Sequence, residues 1–186
     1  IIRSDGVIDG TMAEQSPRFK KSGRTWSYLL HEGEPDITIQ QADVRAIQLA
    51  KAALYAGAKL LMDRMGVEKV DRIRLAGAFG SHIDVKYAMV LGMLPDCDLE
   101  QVSSANNAAG TGARIALLSK SARRQIEARV RLVEKVETSA DESFQGLFVD
   151  ALGIPHARDA YPILSKTVSL PAPVSIDTGS RRRRRP

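Results

Sequence analysis

Cysteine occurs once in these 186 residues, as Cys97. One thiol cannot build a disulfide framework. Nor can it supply the ligand set of a cysteine zinc site or an iron–sulfur cluster. Its neighbours Asp96 and Asp98 would raise its pKa, which argues against a nucleophile. The three histidines, His31, His82 and His156, are scattered without helical ligand spacing, so a zinc site has no support. No apolar run approaches the roughly 18 residues that cross a membrane. No secretory signal opens the chain. Three catalytic signatures are missing as well: the P-loop with its Lys-Ser/Thr pair, the dinucleotide fingerprint Gly-x-Gly-x-x-Gly, and the Gly-x-Ser-x-Gly elbow.

What remains is an ordinary globular composition, 44% hydrophobic and 26% charged, on a chain long enough to bury a core. Lys and Arg outnumber Asp and Glu by 27 to 22, but the run Arg181 to Arg185 supplies the whole excess. The body is therefore neutral and gives no warrant for a nucleic-acid-binding fold. The arginine run could meet nucleic acid or an acidic membrane, stay solvated, or be an added sequence. The first ten residues read like an interior stretch, so the chain is expected to be a piece of a longer protein.

Along the chain, residues 1–37 are irregular, with short strands expected at residues 26–30 and 37–39 and loop at 20–23. Residues 40–65 read as the best helix. Thr38 and Gln41 suggest a capping box, Val44, Ile47, Leu54, Ala58, Leu61 and Met65 an apolar face, and Gly66 a stop. Its alanine density would let a backbone or a flat ligand approach closely. A strand is expected over 70–76, a helix over 85–91 with Asp84 as N-cap, and a short strand over 101–103. Helices are expected over 113–118 and 121–129, then a strand over 130–138. Ser139 with Glu142 suggests a second capping box opening a helix to about 152. The alternation points to an α/β domain with helices packed on a sheet.

Two glycine turns could carry chemistry. Leu75-Ala76-Gly77-Ala78-Phe79-Gly80 closes a strand. In open α/β sheets ligands bind beyond the carboxyl ends of strands, and glycine lets backbone N–H groups approach a phosphate or nucleoside. Asn107-Ala108-Ala109-Gly110-Thr111-Gly112-Ala113 enters a helix and could set its N-terminus against an anion. Each turn has a plain alternative, a tight strand-to-helix connection for the first and close helix packing for the second. Lys51 could reach a nucleotide from the long helix, or simply be solvated. Asp141 and Glu142 are read as serving helix capping.

Residues 37–161 resemble the C-terminal part of the ATP-dependent reductive activators of corrinoid proteins, a family often described only as ferredoxin-like or metal-binding. The matching pieces are Asp36-Ile37-Thr38-Ile39-Gln40-Gln41-Ala42-Asp43-Val44-Arg45, Gln48-Leu49-Ala50-Lys51-Ala52-Ala53, the first glycine turn through Ile83-Asp84, Gly92-Met93-Leu94-Pro95, the second glycine turn through Arg114, and Asp141-Glu142-Ser143-Phe144-Gln145 with Phe148-Val149-Asp150-Ala151-Leu152. Residues 1–36 match loosely and 163–186 not at all.

The resemblance implies an actin-like ATPase subdomain (ASKHA, ribonuclease H-like), with helices on a mixed sheet and a small irregular or β segment before it. It divides the chain into 1–36, a partial N-terminal segment; 37–162, the second half of the ATPase domain; and 163–186, an extended or disordered tail. Full-length members carry an N-terminal [2Fe–2S] ferredoxin domain and use ATP to drive one-electron reduction of Co(II) to Co(I) on a corrinoid methyl-transfer protein. On this chain the resemblance makes Gly77, Ala78, Phe79 and Gly80 the adenosine-side loop, with Phe79 packing below. Gln48 and Lys51 would flank the adenine, and Asn107, Gly110 and Gly112 would shape the helix N-terminus. Ala78 departs from the family, which more often has glycine there.

The acidic phosphate loop for Mg²⁺ and the cluster cysteines are absent. The fragment is therefore expected to hold ATP or ADP weakly and to be inactive alone, whether or not the parent is an enzyme. A cytoplasmic setting, the missing ATPase half as partner and a homodimer are further expectations. Two alternatives stand beside this reading: a nucleotide-gated, chaperone-like module for another metalloprotein, and a structural interaction domain whose glycine turns only pack.

Overall fold

The computed structural model describes residues 1–172, apart from the side chains of Phe79 and Ser139. The arginine run and the rest of 173–186 lie outside the described residues. Three strands form an antiparallel sheet: β1 (Phe19–Ser22), β2 (Thr25–His31) and β3 (Ile37–Ile39), in the order β1-β2-β3. The segment expected as loop at 20–23 is mostly β1, because Gly23 at φ +61° closes a two-residue hairpin that pairs Ser22 with Thr25. Phe19 and Tyr28, paired across the ladder, stack edge to face at 5.0 Å. With Ile8 and Val44 they build a small core of their own.

Helix α1 (Gln41–Arg64) follows. Its start differs from the expected capping box. Thr38 lies in β3, and the Asp43 carboxylate instead accepts the Gln40 N–H at 2.8 Å. Its buried face also differs. Val44 is buried as expected, but Ile47, Leu54, Leu61 and Met65 are exposed, Met65 by 76%. The buried line runs through Val44, Gln48, Lys51, Ala52, Tyr55, Ala56 and Leu60. A helix this rich in alanine and leucine offers two overlapping apolar faces. The face that buries Tyr55 and hydrogen-bonds two polar side chains is the one used here.

The main core gathers Ala52 and Tyr55 of α1 with Ala88, Met89, Leu94, Cys97, Val102, Ala151, Tyr161 and Leu164. A parallel pair, β4 (Ile73–Ala76) and β5 (Val102–Asn106), lies beside it. Helix α2 (Ala78–His82) follows β4 after one residue, and α3 (Val85–Val90) opens on Asp84, whose carboxylate accepts the Tyr87 N–H. Helices α4 (Ala108–Leu118) and α5 (Lys120–Val130) follow β5, and α6 (Phe144–Asp150) packs on α1. Antiparallel and parallel pairing are thus carried by separate sheets, with helices against both cores.

Three local expectations fail for physical reasons. Residues 131–137 are irregular rather than a strand. Leu132 and Val133 are exposed by 72% and 75%, so no buried face holds that segment in register. The last helix begins at Phe144, because the Asp141 carboxylate takes the Ser143 N–H and hydroxyl and makes a turn there. Residues 163–172, expected within a tail, pack instead: Leu164 is 1% exposed, and Asp96 accepts the N–H groups of Ile163 and Leu164.

Candidate functional site

The carboxyl ends of β4 and β5 come together. Ala76 pairs with Asn106, and the Gly77 N–H donates to the Asn106 carbonyl at 2.9 Å. The two glycine turns are therefore bonded side by side at the strand ends, where ligands of parallel sheets bind. Gly77 sits at φ +93°, and a Cβ there would meet no atom within 4 Å. The left-handed conformation favours glycine, and the missing side chain leaves the outer surface of the turn open. Gly80 has the opposite surroundings. A Cβ on it would lie 2.8 Å from Leu75 Cβ and 2.9 Å from the Leu75 carbonyl carbon, so its absence lets α2 lie directly on β4.

Asn107 caps α4, its Oδ1 accepting the Gly110 N–H at 2.9 Å. A Cβ on Gly110 would reach within 2.6 Å of the Asn107 carboxamide, so this glycine makes room for the cap, whereas Gly112 faces open space. Ala78 and Asn107 are exposed. Among the residues expected at a site, the structure brings together Gly77, Ala78, Gly80, Asn107, Gly110 and Gly112, with the Phe79 backbone in α2. The Phe79 side chain is outside the described residues.

Gln48 and Lys51 are elsewhere. Gln48 Nε2 donates to the carbonyls of Asp5 and Leu152 at 3.1 and 2.7 Å. Lys51 Nζ donates to those of Gly153 and Pro155, the latter at 2.7 Å. Both side chains are buried and tie α1 to the loop after α6. Burial lowers the Lys51 pKa to about 8. The sequence expectation has them flank a base; in this structure their polar atoms serve carbonyls of the fold, a bracing role.

Sequence reasoning missed three residues at the strand ends. Asn106 has φ +51°, its N–H donates to Ser104 Oγ at 3.0 Å, and Ser81 Oγ donates to the Gly77 carbonyl at 3.2 Å. Ser104 Oγ lies 3.4 Å from Ser81 Oγ. The Asn106-Asn107 pair before a helix was the available signal, since asparagine both tolerates the left-handed region and caps helices. The turns carry no carboxylate, so they do not fit Mg²⁺ coordination. Cys97, 1% exposed, has its pKa raised, first by burial and also by the charges of Asp98, Asp96 and Asp71, against a backbone hydrogen bond at Asp98 that lowers it, as an inert thiol would. A groove of about 810 Å³ lies between the N-terminal segment, α1, the 152–161 loop and residues 165–172, lined in part by Asp5, Arg45, His156 and Leu170.

Residues 1–165 match the family described as the C-terminal domain of RACo, the ASKHA domain. The chain belongs to this family. Its actin-like α/β fold follows from that membership and agrees with the strand-and-helix order above. A curated relative, the corrinoid activation enzyme RamQ of Eubacterium limosum, is 45% identical over 111 residues, 59% of this chain and 19% of that enzyme. A solved structure, a reductive activator for corrinoid, iron-sulfur protein, superposes with a TM-score of 0.69 at 32% identity over 84% of this chain and 26% of its own. The ASKHA chain described here thus spans about a quarter or less of the length of these two relatives. Among the described residues no helix is long and apolar enough to cross a membrane.

Proposed function

We propose that this chain supplies the adenosine-facing part of the nucleotide site in an ATP-dependent reductive activator. The parent protein passes one electron from a reduced [2Fe–2S] ferredoxin domain to Co(II) corrinoid, yielding Co(I), on a corrinoid methyl-transfer protein in the cytoplasm. The observation that carries the local part is the Gly77–Asn106 hydrogen bond, which joins two open glycine turns at the ends of parallel strands. The Gly77 turn offers backbone to ribose and α-phosphate. The N-terminus of α4 offers its dipole to the same anion. Family membership and the two activator relatives support the larger part.

On this reading the residues holding Mg²⁺ and the γ-phosphate come from the other half of the ATPase domain. Nucleotide binding and hydrolysis shift the complex between states and so drive an uphill electron transfer. The cluster belongs to a ferredoxin domain, since Cys97 alone cannot hold it. Homodimerisation is part of the same proposal.

The test is calorimetric titration of ATP and ADP with Mg²⁺ on the longest natural form of the protein containing these residues, beside the 186-residue chain. Saturable binding by the longer form, weakened about tenfold or more by Gly77→Val, is expected. No binding by the longer form would leave the glycine turns as packing devices.

A further inference from the structure

We propose that Asn106 is a positioning residue for the nucleotide site. Its backbone conformation, rather than its carboxamide, fixes the two glycine turns at one separation. The inference rests on the nucleotide reading above and goes beyond it to a residue that the resemblance does not single out.

Three observations carry it. First, β5 holds one residue more than β4 near its end: Leu75 pairs with Ser104, but Ala76 pairs with Asn106, so Ala105 is an added residue. Such a bulge bends a strand and re-aims the residues beyond it. Second, Asn106 is the only non-glycine residue with positive φ among the described residues. Asparagine accepts that region far more readily than a β-branched residue. Third, both backbone polar groups of Asn106 are used: the carbonyl accepts the Gly77 N–H across the site at 2.9 Å, and the N–H donates back within β5 to Ser104 Oγ at 3.0 Å.

The residue after it caps α4. One left-handed residue therefore sets both the distance between the turns and the direction of the α4 N-terminus. In an extended conformation its carbonyl would swing off Gly77 and the two turns would part. The ligand class is the ribose and phosphate of an adenine nucleotide, whose oxygens are spaced by covalent bonds and so need donors at a fixed separation. The carboxamide is a weak candidate for the role, since its Oδ1 lies 3.5 Å from Ser104 Oγ.

The experiment measures the ADP dissociation constant, well below the melting temperature, for the longest natural form of the protein and its variants. Asn106→Val should weaken binding about tenfold. Asn106→Ala should weaken it less and serves where the valine variant does not fold. Asn106→Gly, which keeps the left-handed region open, should bind within about twofold of wild type. Leu164→Ala, in the main core, should lower the melting temperature without moving the dissociation constant. Equal loss from glycine and valine would overturn the backbone role, as would unchanged binding in both the valine and alanine variants. A wild type that binds no ADP would overturn the nucleotide reading, and this proposal with it.

Discussion

The loop after α6 and the ends of β4 and β5 handle polar groups in opposite ways. In the loop, polar side chains are buried and consumed. Lys51 and Gln48 serve carbonyls of residues 152–155. The His156 Nδ1 accepts the N–H groups of Arg158 and Asp159. At the strand ends Gly77, Asn106 and Asn107 are exposed, and the space beyond Gly77 and Gly112 is open. A fold keeps its buried polar groups paired because leaving them unpaired is costly. Open space beside a helix N-terminus is what a ligand can use. The chain therefore separates bracing from binding, and each side can be broken without the other.

The largest expected effect is on the bracing side. Lys51→Ala removes the donor from two carbonyls and leaves a void, and should cost about 3 kcal/mol of stability by denaturant melts. The folded pKa of Lys51, about 8, lies below the ordinary lysine value of 10.5. The unfolded chain therefore binds the extra proton between these pH values, and wild-type stability should rise across that window. The alanine variant should lose the rise. Nucleotide affinity should be unchanged, and a parallel loss of affinity would put Lys51 back at the site.

Gly80→Ala sharpens the comparison from the other side. Its Cβ would press on Leu75, whose backbone is fixed in β4, and the cost should be about 2 kcal/mol. Because α2 must then lift from β4, nucleotide affinity should fall with stability.

Gly112→Ala should separate the two readouts. The position is helical and open, so alanine should stabilise by about 1 kcal/mol through helix propensity. If a phosphate approaches this face, ADP affinity should fall while the melting temperature rises. A gain in stability with unchanged affinity would confine the site to the Gly77 turn.

The strand ends were more legible in the sequence than the bracing loop. Gly77, Gly80 and the Asn107 turn are glycine and cap signals written locally, and the structure places them together. The roles of Gln48 and Lys51 depend on carbonyls about a hundred residues away, which no local pattern encodes. The same limit applied to α1. Spacing showed an amphipathic helix, but the choice between two overlapping apolar faces was made by Tyr55 and its partners in the main core. The failed strand at 131–137 teaches the converse, since β-forming residues without a burying neighbour stay irregular.

His156 provides the smallest test and the most specific one for the bracing side. Its ring is nearly buried, packs 4.8 Å from Tyr55, and accepts two backbone N–H bonds at Nδ1, which fixes the neutral form with the proton on Nε2. Burial lowers its pKa below the ordinary 6.5. Lys51 and Lys59 push the same way, and Asp159 and Asp150 oppose. The unfolded chain therefore takes up the proton first as pH falls. Stability should hold above about pH 6.5 and decline below it, by at most about 1.4 kcal/mol per pH unit for one proton. Denaturant melts between about pH 7.5 and 5.5 should show the decline in wild type and a flatter profile in His156→Gln, which keeps an acceptor but cannot titrate. ADP affinity measured over the same range should follow no such curve, because His156 braces a loop that the nucleotide does not touch. A matching fall in affinity would show that the loop and the strand ends are coupled, and the separation between bracing and binding would not stand.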